Sequence, residues 1–226
     1  MAATLSRKFG RENLMPNGSK WPATVLLVLM GFVPCSADDD PIIYDKIQKD
    51  MTEILSGVLP KSLVYQKLTE CAAHGSLSCV AALLQQGADV NARDKNGRTA
   101  LIHACEGGYI QIVRLLLEKQ AAADLRDKDG NTALMRACCK GYPDVVKLLL
   151  EKGAHVDSGE NVDWTPVMYA AAHGGVEIVR ELLAKGANAG HKARDGRYAA
   201  YWANTLGYAE IVEMLKKAQG KGLQLK

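Results

Sequence analysis

One period governs this chain of 226 residues. Residues 94–126 (DKNGRTALIHACEGGYIQIVRLLLEKQAAADLR) and 127–159 (DKDGNTALMRACCKGYPDVVKLLLEKGAHVDSG) are each 33 residues long and align position by position. Residues 160–192 keep the register, and a further copy begins at Ala193. Thr99, Thr132 and Thr165 recur at that step; so do Ala104, Ala137, Ala170 and Ala203, and then Gly108, Gly141, Gly174 and Gly207. Stepping back from Gly108, Val113 and Leu116 lands on Gly75, Val80 and Leu83, so a worn first copy covers about 61–93. A fixed period of this size marks units that cannot bury their apolar face alone. Stacked copies bury a continuous core, which makes the chain a quasi-one-dimensional solenoid.

Each unit has a local logic. Gly97 and Gly130 close polar tips of the form Asp-x-x-Gly, where glycine takes the φ > 0 geometry of a tight turn. Thr99, Thr132 and Thr165 stand where a helix N-cap is wanted, and a short Ala-rich helix follows, ended by Gly108, Gly141 or Gly174 as a C′ glycine ends one. The second helix carries Ile112, Val113, Leu116 and Leu117 on one side and Arg114, Glu118 and Lys119 on the other.

The pattern D-x-x-G-x-T-x-L-x-x-A, then G, then V-x-x-L-L-x-x-G-A, resembles the ankyrin repeat. The resemblance covers about 61–219 as five repeats, at about 61–93, 94–126, 127–159, 160–192 and 193–219, the first and last degenerate. It implies an all-α solenoid of helix-turn-helix units joined by β-hairpin-like loops. The family's Pro-Leu-His after Thr is replaced by Ala100-Leu101-Ile102, Ala133-Leu134-Met135 and Pro166-Val167-Met168, so the inter-repeat histidine hydrogen bond is absent from the expectation. Gln120 stands where the repeat ends on glycine, and Tyr198 replaces the final Thr, as suits a terminal repeat whose outer face is not packed.

Outside the array, residues 38–60 read as an amphipathic helix from about Pro41 to Leu55 that caps the first repeat, with Asp40 as N-cap and Ile43, Ile47, Met51, Ile54 and Leu55 along one face. Residues 1–37 read as a signal-peptide-like leader. Arg7, Lys8, Arg11 and Lys20 precede the uncharged run Ala23 to Val33, and cleavage is placed after Ala37. The run is short for a bilayer span, which takes ~20 residues, so a signal anchor stands as a lesser alternative to a cleaved leader. The leader predicts a secretory or extracytoplasmic location; with the leader uncleaved and disordered instead, the cytoplasm is the alternative. Residues 220–226 form a short tail.

Composition removes other classes. Apolar residues make up 48% and charged residues 23%, which is globular, and a net charge of +3 is too small for a nucleic-acid footprint. Only two Phe are present, which suits close helix packing through Ala, Leu and Val. The six cysteines show no metal-ligand spacing. Cys71 falls in the column of Ala104, Cys79 in that of Ile112 and Val145, and Cys105 and Cys138 in that of Ala171, so they read as small apolar core residues with free thiols, not as a disulfide framework. The five histidines do not converge along a linear array, and neither a phosphate-binding glycine motif nor a nucleophile elbow occurs. No catalytic residue, metal or cofactor is expected.

A surface remains. The resemblance implies a groove lined by hairpin tips and first helices, with specificity at positions the repeat leaves free: Lys95, Asn96 and Arg98, then Lys128 and Asp129, then Arg194 and Arg197. Trp164 sits in the same class. The column His103, Arg136, Tyr169 and Trp202 carries residue types that often hold binding energy, and its aromatic end points to a contact centre in the C-terminal half. The expected role is non-catalytic binding of a partner protein by a monomer; the alternative is an accessory subunit that stabilises or regulates a partner enzyme.

Overall fold

The structure, a computed structural model, describes residues 61–158 and 164–222, with side chains from 67 to 158 and 164 to 220. The leader, the helix expected at Pro41 to Leu55 and the tip residues 159–163 lie outside the described residues. Ten α-helices form among the described residues, in five pairs: α1 Lys61–Ala73 with α2 Leu77–Gln85, α3 Ala100–Gly107 with α4 Ile110–Glu118, α5 Ala133–Lys140 with α6 Pro143–Glu151, α7 Pro166–Ala172 with α8 Val176–Ala184, and α9 Ala199–Thr205 with α10 Ala209–Gly222. First helices pack on first helices in the order α1, α3, α5, α7, α9, and second helices on second helices in the order α2, α4, α6, α8, α10. The result is the all-α, two-layered solenoid that the period predicts. Hairpin-like loops join the pairs, with one isolated antiparallel bridge, Arg93 to Thr99, among the described residues.

The helix ends follow the sequence signals closely. Thr99 Oγ1 accepts the Ile102 N–H and Thr132 Oγ1 the Met135 N–H, both at 3.3 Å, so each cap satisfies one orphan donor of its helix. Thr165 departs from this. Pro166 starts α7, the Met168 N–H goes to the Thr165 carbonyl instead, and Thr165 Oγ1 is buried without a partner among the described residues. At the repeat ends Gly87, Gly153 and Gly186 take φ of 81°, 86° and 88°, and Gln120, one repeat step after Gly87, is forced to 62°.

Burial runs in columns. Ala104, Ala137, Ala170 and Ala203 let first helices approach closely, while Ile112, Val145, Ile178 and Ile211, with Leu116, Leu149, Leu182 and Leu215, fill the space between the layers. Each fully buried Leu or Ile contributes about 1.5–3 kcal/mol of transfer free energy. Adjacent repeats are also stitched by polar contacts. Asn91 Oδ1 accepts the Ala122 N–H, Asp124 Oδ1 the His155 N–H, and both Asp157 oxygens the Asn188 N–H, at 2.9–3.2 Å. One expectation is corrected. Cys71 and Cys79 are joined in a disulfide, because their two columns meet across the seam of a helix pair and here bring the Cα atoms to 5.9 Å, within bridging range. Cys105 and Cys138 are free and buried, as the column argument expects.

Candidate functional site

The tips are built from an acid that faces inward. Asp94 Oδ1 accepts the backbone N–H groups of Asn96 and Arg98, and Asp127 Oδ1 those of Asp129 and Asn131, at 2.8–3.0 Å. The second oxygen of each reaches the following first helix. Asp94 Oδ2 meets His103 Nε2 at 2.9 Å, and Asp127 Oδ2 accepts from Arg136 Nη2 at 2.7 Å. Burial alone would raise both carboxyls. The bonds from His103 and the tip N–H groups to Asp94, and from Arg136 and the tip N–H groups to Asp127, outweigh it and hold both below the usual carboxylate range.

Three of the residues expected to meet a partner therefore have internal work. Arg98 Nη1 donates to Glu106 Oε2 at 3.0 Å and its Nε lies 3.7 Å from Asp127 Oδ2, while Arg136 Nη1 lies 3.8 Å from Glu106 Oε1. Arg98, Glu106, Arg136 and Asp127 form one network across two repeats. His103 is the corresponding clamp one repeat earlier.

The aromatic end of the same column gathers as expected. Trp164 lies 5.1 Å from Tyr169 and 4.9 Å from Trp202, centroid to centroid, with tilted planes. Tyr201 meets Trp202 edge-on at 5.4 Å, and the Arg197 guanidinium stacks over both, 4.7 Å from Tyr201 and 5.2 Å from Trp202. Such pairs contribute about 0.5–1.5 kcal/mol beyond area burial. Tyr169 OH donates to Asn131 Oδ1 at 2.9 Å, and burial pushes its phenol up, so it stays a neutral donor. Trp202 Nε1 is buried without an acceptor among the described residues. Beside Trp164 opens a cleft of about 330 Å³, lined also by Ala193, Arg194 and Asp195.

Tyr201 was not among the residues singled out from sequence, although its column contains the signal. Ile102, Met135 and Met168 precede it at the repeat step and are 0–1% exposed, whereas Tyr201 is 43% exposed. Of the other expected residues, Lys95, Asn96, Lys128, Asp129, Arg194 and Arg197 are all exposed at the tips. The Asn96 carbonyl accepts the Lys128 N–H at 2.9 Å, so successive tips are directly joined.

On the exposed side of the first helices a second pair meets. Cys139 Sγ is 3.7 Å from His173 Nε2, and His173 Nδ1 is 2.9 Å from the Tyr169 carbonyl. A carbonyl only accepts, so Nδ1 donates to it and Nε2 faces the thiol. Among the described residues no cluster of three or more His, Cys, Asp or Glu is placed to hold a metal ion, and no helix is long and apolar enough to cross a membrane.

Comparison with known proteins agrees with this architecture. The family described as ankyrin repeats in three copies matches residues 68–160 and 156–225. The chain is also 35% identical over 87 residues to the probable E3 ubiquitin-protein ligase XBOS33 of Oryza sativa subsp. japonica, a match covering 34% of this chain and 17% of that protein.

Proposed function

Because the chain belongs to the ankyrin-repeat family, whose arrays are protein-interaction modules, we propose that it binds a partner protein non-catalytically through the face made by its hairpin tips and first helices. The observation that supports this most is the aromatic group of Trp164, Tyr169, Tyr201 and Trp202 at the C-terminal end of that face. A core has no use for a Tyr 43% exposed with an Arg stacked on it, whereas Trp, Tyr and Arg gathered at a surface are what an interface centre uses. The internal clamps of His103 and Arg136 hold the first helices beneath the tips, so the surface is preorganised and loses little entropy when a partner arrives.

A photo-crosslinking experiment tests this in cells that make the protein. With p-benzoylphenylalanine in place of Tyr201, covalent adducts with a discrete partner are expected; in place of Lys147, exposed on a second helix, they are not. Equal adducts from both sites would contradict the assignment of the face.

A second reading draws on the rice relative. That protein carries the name of an enzyme and the match covers only 17% of its length, which supports, as the second reading, an array that acts as the accessory part of a partner enzyme. Co-purification in fixed ratio with one enzyme would favour it; a dissociable partner favours the first.

We also propose an extracytoplasmic location. The signal-like leader and the Cys71–Cys79 disulfide, a bond that persists in oxidising compartments, support it. N-terminal sequencing tests it: a start at Asp38 agrees, and an intact Met1 contradicts.

A further inference from the structure

We propose that a partner protein docks an aromatic side chain, with a carboxylate beside it, over Gly141, at the turn between α5 and α6. This seat lies at the far end of the first helices from the hairpin tips. It is a second contact, beyond the centre assigned to Trp164 and Trp202.

The repeat itself shows what such a seat takes. Gly75, Gly108, Gly141 and Gly174 stand at the turns after α1, α3, α5 and α7 with the same left-handed backbone, at φ of 74°, 73°, 80° and 71°. Over three of them lies a tyrosine of the following repeat. A Cβ at Gly75 would come within 2.6 Å of the Tyr109 ring, at Gly108 within 2.7 Å of Tyr142, and at Gly174 within 2.8 Å of Tyr208. Each ring therefore rests on bare backbone that only glycine offers. At Gly141 nothing stands within 4 Å of the same point among the described residues, and this glycine is exposed where the other three are half-buried. One residue is the cause: Gly175 occupies the position of Tyr109, Tyr142 and Tyr208, so the seat is formed and the chain supplies no ring to it.

The fold does not call for glycine at 175. Its φ and ψ of −76° and 73° match the −77° and 75° of Tyr109, and a Cβ there would meet Ile178 and the Ala170 carbonyl at 3.4–3.5 Å, an ordinary contact distance. A glycine at such a position only widens the unfolded ensemble. Tyr109 and Tyr208 are 36% and 37% exposed, so a ring in one of these seats is mostly covered and gains from leaving water. Charge sets the flank of the occupant. Lys140 is exposed, adjoins Gly141 at the end of α5 and makes no ion pair among the described residues. Asp144 and Glu177, also exposed, stand in the first turns of α6 and α8, where they repel an acidic segment from the second-helix side. A carboxylate beside the seated ring therefore meets Lys140, and the segment runs on along the first helices, continuous with the face proposed above.

The test pans a displayed library of short random peptides in parallel on the full chain, on Gly175→Tyr, which fills the seat with the chain's own ring, and on Gly175→Ala, which leaves it open. Peptides with Tyr, Phe or Trp next to Asp or Glu are expected to enrich on the native chain and on Gly175→Ala. They are expected to fall at least about tenfold on Gly175→Tyr, and to fall more on Lys140→Glu than on Lys140→Gln. Adding one such peptide to the native chain is expected to move the Gly141 and Gly175 amide signals in proton–nitrogen correlation spectra, which reads the seat without any variant. The proposal is overturned if no peptide class depends on position 175, if the dependent peptides lack an aromatic residue, if Gly175→Ala loses them equally, or if the Gly141 amide does not move. A Gly141 amide that moves with protein concentration would give the seat to a second copy, and one that moves when Phe9, Trp21, Phe32 and Tyr44 are replaced by Ser would give it to residues 1–60; either result overturns the proposal as well. If every selected peptide is lost on Trp164→Ala/Trp202→Ala and kept on Gly175→Tyr, the contact centre stands and the seat alone falls. The reverse pattern leaves the seat and removes the contact centre.

Discussion

Arg136 Nη2 donates to Asp127 Oδ2 across 2.7 Å, and the carboxylate it meets is 1% exposed. Removing the arginine leaves that charge buried with one charged partner fewer, held by the tip N–H groups, by the Asn131 side-chain amide at 3.5 Å and by Arg98 at 3.7 Å. Arg136→Ala is expected to cost about 2–3 kcal/mol, read as a lower urea midpoint at unchanged slope. A loss under about 0.5 kcal/mol would mean the network is a surface ornament.

The same clamps predict the acid limb of the stability curve. Asp94 and Asp127 have carboxyls held below their unfolded value of about 3.9, so their contribution is present above that value and is lost as pH falls through the lower folded value. Stability is therefore expected to decline from about pH 5 downward, and Asp127→Asn is expected to flatten that decline while lowering stability at pH 7. An equally steep acid limb in Asp127→Asn would place the titration elsewhere.

Gln120 carries a left-handed φ of 62° at a position where Gly87, Gly153 and Gly186 stand in other repeats. A side chain there costs about 1–2 kcal/mol, partly offset by the greater freedom of glycine in the unfolded chain. Gln120→Gly is expected to raise stability by about 0.5–1 kcal/mol in thermal or urea unfolding, and destabilisation would contradict the backbone argument.

Cys139 is expected to be the reactive free thiol of the array. Cys105 and Cys138 are fully buried and burial pushes both thiols up, away from the thiolate, whereas Cys139 is half-buried and so within reach of a reagent. Native-state alkylation with iodoacetamide, read by peptide mass spectrometry, should mark Cys139 well before Cys105 or Cys138. Labelling of Cys138 at a similar rate would show that the helix opens more readily than its packing implies.

The architecture is legible in the sequence because a solenoid repeats its physics: a column that is Ala104, Ala137, Ala170 and Ala203 has only one place to be. What a column does not state is the partner of each member. His103 and Arg136 look free when read down their own column, yet each lies nine residues after an acid, Asp94 or Asp127, that claims it. Tyr169 finds Asn131 one repeat back, and Trp202, whose counterpart acid is Ala193, is left to the aromatic group. Reading columns in pairs would have separated clamp from surface. It would also have set Cys71 against Cys79, since both columns line the seam of one helix pair. Tyr201 escaped for a different reason: its column is core at Ile102, Met135 and Met168 and comes to the surface at Tyr201.

The most direct test of the binding face measures the affinity of a peptide selected on the full chain, by fluorescence anisotropy, for the native protein and for Trp164→Ala/Trp202→Ala, with far-ultraviolet circular dichroism matched and Arg197→Ala as an exposed companion variant. If the aromatic group is the contact centre, the double variant loses at least about thirtyfold in Kd and Arg197→Ala loses less. Unchanged affinity in a folded double variant would contradict the account.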